Sequence, residues 1–231
     1  AGYDTRAYRF ADSNHSTRIF ELDVPSTPAR KLECLRKGHI AVSKQVTYVP
    51  IDFNRESLGD ALVKAGYAND QKTLFIWEGV TYYLEHEAVD ATLKFVSRTA
   101  HPESTLAFDY TISLTVENRH AYYGATEFAE TMRARHGGEA LLFSIAEGQI
   151  ETFLAQRGLA IVTHLDTTEI ETKFLTSEGG TLIVHLTGHF RFVTVSPQTN
   201  EKMMLWASIA AVLPSYYSQI VGLHQRLAKD F

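Results

Sequence analysis

The chain reads as an α/β protein, a mostly parallel sheet covered by helices on both faces. Three observations predict this. Short apolar, β-prone runs alternate with amphipathic helical segments through the first two thirds of the 231 residues. Such βαβα alternation is the pattern of a parallel sheet with crossover helices. The run Thr73–Trp77 (TLFIW) is apolar and β-prone, as a buried parallel strand should be. An acidic residue also stands just after each of four apolar runs, at the strand ends where open sheets bind ligands.

The elements follow in order. Thr17–Leu22 (TRIFEL) reads as a strand. Thr27–Lys37 has helical spacing, with Ala29, Leu32 and Leu35 near one face, and Gly38 follows as a stop. Gln45–Pro50 is the next strand, and Ser57–Tyr67 a helix carrying Leu58, Ala61, Leu62 and Ala65. Thr73–Trp77 is followed by a longer amphipathic helix, Glu85–Ala100, with Val89, Leu93 and Val96, and then by a strand at Ser104–Asp109. Residues 111–146 are irregular or helical and rich in His, Arg and Gly, a composition suited to an insertion over a substrate site. Glu147–Arg157 reads as helix, Leu159–His164 as strand and Thr168–Leu175 as helix. Thr181–Val195 reads as one long strand or a bent pair after the turn Glu178-Gly179-Gly180. Pro197 sets off a tail in which Asn200–Leu213 and Ser215–Lys229 look helical, broken at Pro214. The expected division is a domain over 1–196 and, over 197–231, a helical tail acting as lid, docked helix or dimerisation element.

Composition narrows the function classes. Hydrophobic residues make up 45% and charged residues 21%, ordinary for a globular domain. The formal net charge of −5 argues against nucleic acid as the main partner. The single cysteine, Cys34, cannot form an internal disulfide. No C-x-x-C or H-E-x-x-H spacing occurs, so no metal is expected. The opening AGYDTRAYRF lacks the apolar core of a secretory leader, and no run of about 18 apolar residues occurs. A cytoplasmic protein without a membrane span is therefore expected.

The strand-end acids carry the chemistry. They are Asp23 after RIFEL, Asp52 with Phe53 after YVPI, Glu78 after TLFIW, and Asp109 with Tyr110 after TLAF. An acid at such a place can accept both ribose hydroxyl hydrogens of a nucleoside. A second acid can accept from an adenine amino group while a neighbouring ring covers the base, which suits Asp52-Phe53. Acids also suit a ligand with positive charge on sulfur and on an amino group. The competing reading makes them helix caps or solvated loop residues. Gly2 in the opening turn would let a ligand approach the backbone.

These segments in this order resemble a known family. A-G-Y-D-T-R-A-Y-R, F-E-L-D-V-P, V-P-I-D-F and T-L-F-I-W-E-G-V-T-Y-Y-L are similar to the leucine carboxyl methyltransferase superfamily, in particular its bacterial and fungal branch of S-adenosylmethionine-dependent O-methyltransferases. G-G-E-A-L-L-F-S-I from Gly137 and G-H-F-R-F from Gly188 resemble later segments of that branch. The resemblance runs from residue 1 to about residue 195. It implies a Rossmann-like class I methyltransferase fold with a late antiparallel strand, and S-adenosyl-L-methionine as cofactor with S-adenosyl-L-homocysteine as product. By the same resemblance Gly2 and Asp4 lie in the first cofactor loop and Asp23 is the ribose-binding acid. Asp52 and Phe53 flank the adenine, Glu78 lies near the methionine portion, and Tyr83 is the aromatic near the acceptor. The family places a further strand just before the position of Ala1, with helices ahead of it. The expectation is that this first strand comes from residues ahead of Ala1, from a separate chain, or from a rearranged tail.

The function implied is methyl transfer to a carboxylate or hydroxyl oxygen of a small molecule, with Tyr83 at the reacting end. In-line displacement needs acceptor oxygen, methyl carbon and sulfur nearly collinear. An ionised carboxylate needs no base, whereas a phenol or enol is helped by one. His120 and His136 lie in the irregular stretch and His185 and His189 on the late strand; each reads first as a surface or core histidine, and none is assigned as a base. Tyr82, Tyr83, Tyr110, Tyr122 and Tyr123 are candidates for an aromatic pocket. The alternatives are a cofactor-binding protein with non-methylating chemistry and a non-catalytic interaction protein. The absence of a G-x-G-x-x-G turn argues against a dinucleotide-dependent oxidoreductase. Besides the small-molecule acceptor, the partners expected are a second copy or a complementing N-terminal segment.

Overall fold

The computed structural model describes residues 2–13, 16–135 and 141–198. Its strands form two hydrogen-bonded ladders. In the first, β1 (Ile19–Asp23) runs parallel to β2 (Val46–Pro50), with Ile19 opposite Val46 and Asp23 opposite Pro50. The crossover between them is α2 (Ser26–Lys37), which buries Lys31 and Leu35 and ends at Gly38. A short helix, α1 (Arg6–Arg9), precedes β1.

In the second ladder the order is β3-β4-β6-β5. β3 (Leu74–Trp77) lies parallel to β4 (Thr105–Thr111). β6 (Phe190–Pro197) runs antiparallel between β4 and β5 (Leu159–Asp166). This is the late antiparallel strand that the family resemblance implies. The α/β class and the parallel pairing of the first four strands are as the sequence predicts.

The helices form where the apolar spacing and the caps place them. α3 (Leu58–Lys64) starts at Ser57, whose hydroxyl accepts from the N–H of Asp60. α4 (His86–Thr99) buries Val89, Leu93 and Val96, three residues at helical spacing, against the second ladder. α6 (Ile150–Ala155) buries Ile150 and Leu154 one turn apart. α7 (Thr167–Phe174) opens with a capping box: Asp166 accepts from the N–H of Glu169, and Glu169 accepts from the N–H of Asp166. The core is one cluster gathered on this ladder, including Trp77, Phe108, Leu106, Phe143, Leu159 and Val195.

The two ladders meet through side chains. Tyr67 packs its ring on Phe20 of β1 and on Phe75 of β3, both at 6.2 Å between centroids. Phe75 and Trp77 face the core, while Leu74 (63% exposed) and Ile76 (49% exposed) stand out on the opposite face of β3.

Two expectations are corrected. The strand expected over Thr181–Val195 forms only from Phe190 onward and runs to Pro197. Before it, Ile183 and Val184 are exposed, and only an isolated bridge joins Thr176 to Leu182. Among the described residues this segment pairs only with the turn at Leu175–Ser177 and crosses another loop, and β-branched composition alone does not extend a strand without a longer neighbour. Pro197 closes β6 opposite Leu159 and so belongs to the sheet. The stretch 111–146, expected to be irregular or helical, contains α5 (Ala125–Arg135). The tail expected to be helical over 200–229 lies outside the described residues.

The crossing of the two loops is tight. Gly188 donates its N–H to the carbonyl of Tyr123 at 2.8 Å. A Cβ at Gly188 would meet the backbone nitrogen of Tyr123 at 2.9 Å and Tyr122 backbone atoms at 3.4 Å. Backbone atoms cannot swing aside as a side chain can. Gly188→Ala is therefore expected to lower stability by about 2–3 kcal/mol, measured by urea unfolding against wild type.

Candidate functional site

The site is built where β1 ends and the first loop meets it. Gly2 has φ +53, a left-handed conformation that favours glycine, and a Cβ there would touch nothing within 4 Å. Its N–H donates to Asp23 Oδ2 at 2.7 Å, and Asp23 Oδ1 accepts from the N–H of Val24 at 2.8 Å. Burial acts upward on the Asp23 carboxyl, and the hydrogen bonds from Gly2 and Val24 act downward and favour its ionised form.

Asp4 and Glu78 are joined through Arg6. Asp4 accepts from the N–H of Arg6 at 2.8 Å and from Arg6 Nε at 2.7 Å. Arg6 Nη2 then donates to Glu78 Oε2 at 2.9 Å. Burial acts upward on the Asp4 carboxyl, and the bonds from Arg6 bring it below its ordinary value. The exposed Glu78 beyond β3 is thus tied to the loop before β1 across the space between the two ladders.

Asp52 and Phe53 are placed differently. Asp52 stabilises its own turn, accepting from the N–H of Asn54 at 3.1 Å and lying 3.4 Å from Arg55 Nε. Phe53 packs on the edge of the main core and lines a groove of about 300 Å³ between α3 and α4. Asn54 links this turn to the far side of the site by accepting from the N–H of Glu85 at 3.1 Å. Tyr83 is half-buried, its ring 4.8 Å from that of Tyr82. The structure bonds Gly2 to Asp23 and, separately, Asp4 to Glu78 through Arg6, and keeps Asp52, Phe53 and Tyr83 in neighbouring turns.

Asp109, the fourth strand-end acid, is buried inside β4. It accepts from the N–H of Gly79 at 2.8 Å, fixing the turn after Glu78. Burial holds its carboxyl above the usual range, and the charge on Glu78 adds to this. Thr81 pins the same turn by donating to the Asp109 carbonyl at 2.5 Å.

Sequence reasoning passed over three members. Arg6 links two predicted acids, and Lys31 and Glu21 form a buried ion pair at 2.5 Å. Their signal lies in the periodicity. Lys31 sits one turn before the buried Leu35, and Glu21 stands between the apolar Phe20 and Leu22.

Histidine placement is selective. His189 is fully buried between Phe128 of α5 and Phe190, and neither ring nitrogen has a partner among the described residues. It lies at the carboxyl end of β4, where its carbonyl accepts from the N–H of Ile112. His185 is exposed and lies 3.4 Å from Glu171. His136 is outside the described residues.

Comparison with known proteins bears on the same segments. Residues 1–97 match the leucine carboxyl methyltransferase family. The match takes in the segments from A-G-Y-D-T-R-A-Y-R to T-L-F-I-W-E-G-V-T-Y-Y-L that carry the resemblance. The "Putative S-adenosyl-L-methionine-dependent methyltransferase YktD" of Bacillus subtilis (strain 168) is 28% identical over 192 residues, covering 82% of this chain and 62% of that protein. A "Putative S-adenosyl-L-methionine-dependent methyltransferase" of Mycolicibacterium gilvum is 36% identical over 110 residues, covering 48% of this chain and 35% of that one. The chain thus spans less than two thirds of the length of these curated relatives. Among solved structures, the mitomycin 7-O-methyltransferase MmcR aligns with TM-score 0.50 at 15% identity, over 85% of this chain and 46% of that one. The complex of the Haloferax volcanii Trm112 methyltransferase activator with its methyltransferase aligns with TM-score 0.54 at 11% identity, over 86% and 79%. At these identities the likeness establishes the Rossmann-like fold.

A pH dependence follows from His189. Burial, then the charge of Arg191, pushes its imidazole down to about 4. An unfolded histidine takes up a proton near pH 6.5, whereas the folded one resists until near pH 4. Stability from this group is therefore complete above about pH 6.5 and lost as pH falls toward 4. Between pH 7.5 and 5 the loss is about 2 kcal/mol. Urea unfolding of His189→Leu should show a slope flatter by that amount, with the part due to His164, also held low by burial, unchanged.

Proposed function

We propose that this protein is an S-adenosylmethionine-dependent methyltransferase that transfers the methyl group to a carboxylate or hydroxyl oxygen of a small molecule. The observation that carries the reading is the Asp23 carboxylate at the end of β1, bonded to the open backbone turn at Gly2. A carboxylate there can accept ribose hydroxyl hydrogens, and the absent Cβ leaves the ligand room beside the backbone. The family match over residues 1–97 and the names of the relatives support the same reading.

The residues present fit this cofactor. Gly2 and Asp4 would border it and Asp23 would hold the ribose. Asp52 and Phe53 would flank the adenine, and Glu78 would face the positively charged methionine end. When bound, S-adenosylmethionine supplies an electrophilic methyl group on a sulfonium. The protein's part is to hold the acceptor oxygen in line with that methyl and to exclude water. Tyr83, with Tyr82 behind it, is the aromatic surface assigned to orient the acceptor. Tyr82 is buried, and burial followed by the charge on Asp109 holds its phenol above the ordinary value, so it stays protonated at neutral pH. The first strand expected from the family resemblance would lie between β1 and β3, where Tyr67 and the Arg6–Glu78 pair already connect the two ladders.

Calorimetric titration with S-adenosylhomocysteine tests the reading. Wild type is expected to bind in the micromolar range. Asp23→Ala is expected to bind at least tenfold more weakly, about 1.4 kcal/mol or more, because two hydroxyl groups lose a charged acceptor. Equal affinity in the two proteins would remove Asp23 from the site.

A further inference from the structure

We propose that Lys31 is a positioning residue for the cofactor loop, one buried ammonium setting where the first loop sits against β1. The inference rests on the reading above, that this loop receives an S-adenosyl ligand.

Lys31 lies on α2, yet its side chain points under the first loop and is 4% exposed. Its Nζ donates to Glu21 Oε2 at 2.5 Å and to the backbone carbonyl of Asp4 at 2.5 Å. It also sits 5.7 Å from the centre of the Tyr8 ring. A carboxylate oxygen and a backbone carbonyl thus hold the ammonium from two sides, with the Tyr8 ring beside it. Tyr8 is fixed in turn by a 2.5 Å hydrogen bond between its hydroxyl and that of Tyr48 on β2.

A buried ion pair is a weak way to gain stability, since desolvating both charges offsets most of their attraction. What the pair does provide is a fixed point. Glu21 belongs to β1, two residues before Asp23, and Asp4 belongs to the loop, two residues after Gly2. By bridging them, Lys31 sets the loop against the strand at the place where Gly2 meets Asp23. The same loop carries Arg6 to Glu78. The groups assigned to the ribose and to the methionine end therefore take their spacing from a side chain that touches neither.

The experiment compares wild type, Lys31→Met and the double variant Glu21→Leu/Lys31→Met. S-adenosylhomocysteine affinity, urea stability and amide exchange of Tyr8, Arg9 and Phe10 are measured for each. Lys31→Met leaves Glu21 buried without a partner, so it should lose both stability and affinity. The double variant removes both charges and should recover stability, while binding stays at least tenfold weaker and the three amides exchange at least tenfold faster than in wild type. Recovery of affinity together with stability would overturn the proposal, because Lys31 would then act only through the fold. If wild type itself fails to bind, the cofactor reading falls. The claim that Lys31 sets the loop then stands if exchange accelerates in both variants, and falls if exchange is unchanged.

Discussion

Parallel pairing is the constraint from which the rest follows. β1 with β2 and β3 with β4 each run in one direction, and each pair needs a crossover to return the chain. That geometry puts Asp23 and the Asp52 turn at one rim of the first ladder, and Glu78 with Asp109 at the corresponding rim of the second. No acid needs to be steered individually, because strand direction has already grouped them. What remains is to set the distance between ladders, and here side chains take over from the backbone. Tyr67 fills the space on one face, and Arg6 spans the rim.

Antiparallel β6 has a different duty. Lying between β4 and β5, it gives the second ladder its core partner and brings the segment before it back to the rim. That segment crosses the loop ahead of α5 at Gly188, with no room for a side chain. Phe128 of α5, Phe190 and Tyr82 then meet edge to face in sequence, linking α5 to the turn after β3. Packing of this kind transmits displacement, because close-packed rings offer no slack. His189 sits inside this cluster with its ring nitrogens unmatched among the described residues, an arrangement kept against a desolvation cost.

Much of this was legible in the residues. Apolar periodicity located α4 through Val89, Leu93 and Val96, and capping chemistry is written out in Asp166 and Glu169. The acids after the apolar runs announced the rim, and the motif set pointed to the family whose pattern residues 1–97 match. The misreading of Thr181–Val195 has a physical source. β-propensity reports fitness for a sheet surface, and whether a neighbour strand is present depends on distant chain. Asp109 read as a ligand-facing acid, yet the structure turns it inward to hold Gly79, a distinction that depends on side-chain direction at a single strand position. Lys31 and Glu21 escaped because each taken alone resembles a solvated surface charge. Only their meeting, ten residues apart across a crossover, makes them internal.

The lone thiol has a practical bearing. Cys34 is exposed on α2, one turn beyond Lys31, and it is the only cysteine in the sequence. A maleimide dye therefore attaches at one place, on the helix whose inner side holds the first loop, without any engineering. In aerated buffer the same thiol joins two copies covalently. A band of doubled mass on a non-reducing gel then reports oxidation at α2, and only reductant-resistant association speaks for a biological dimer.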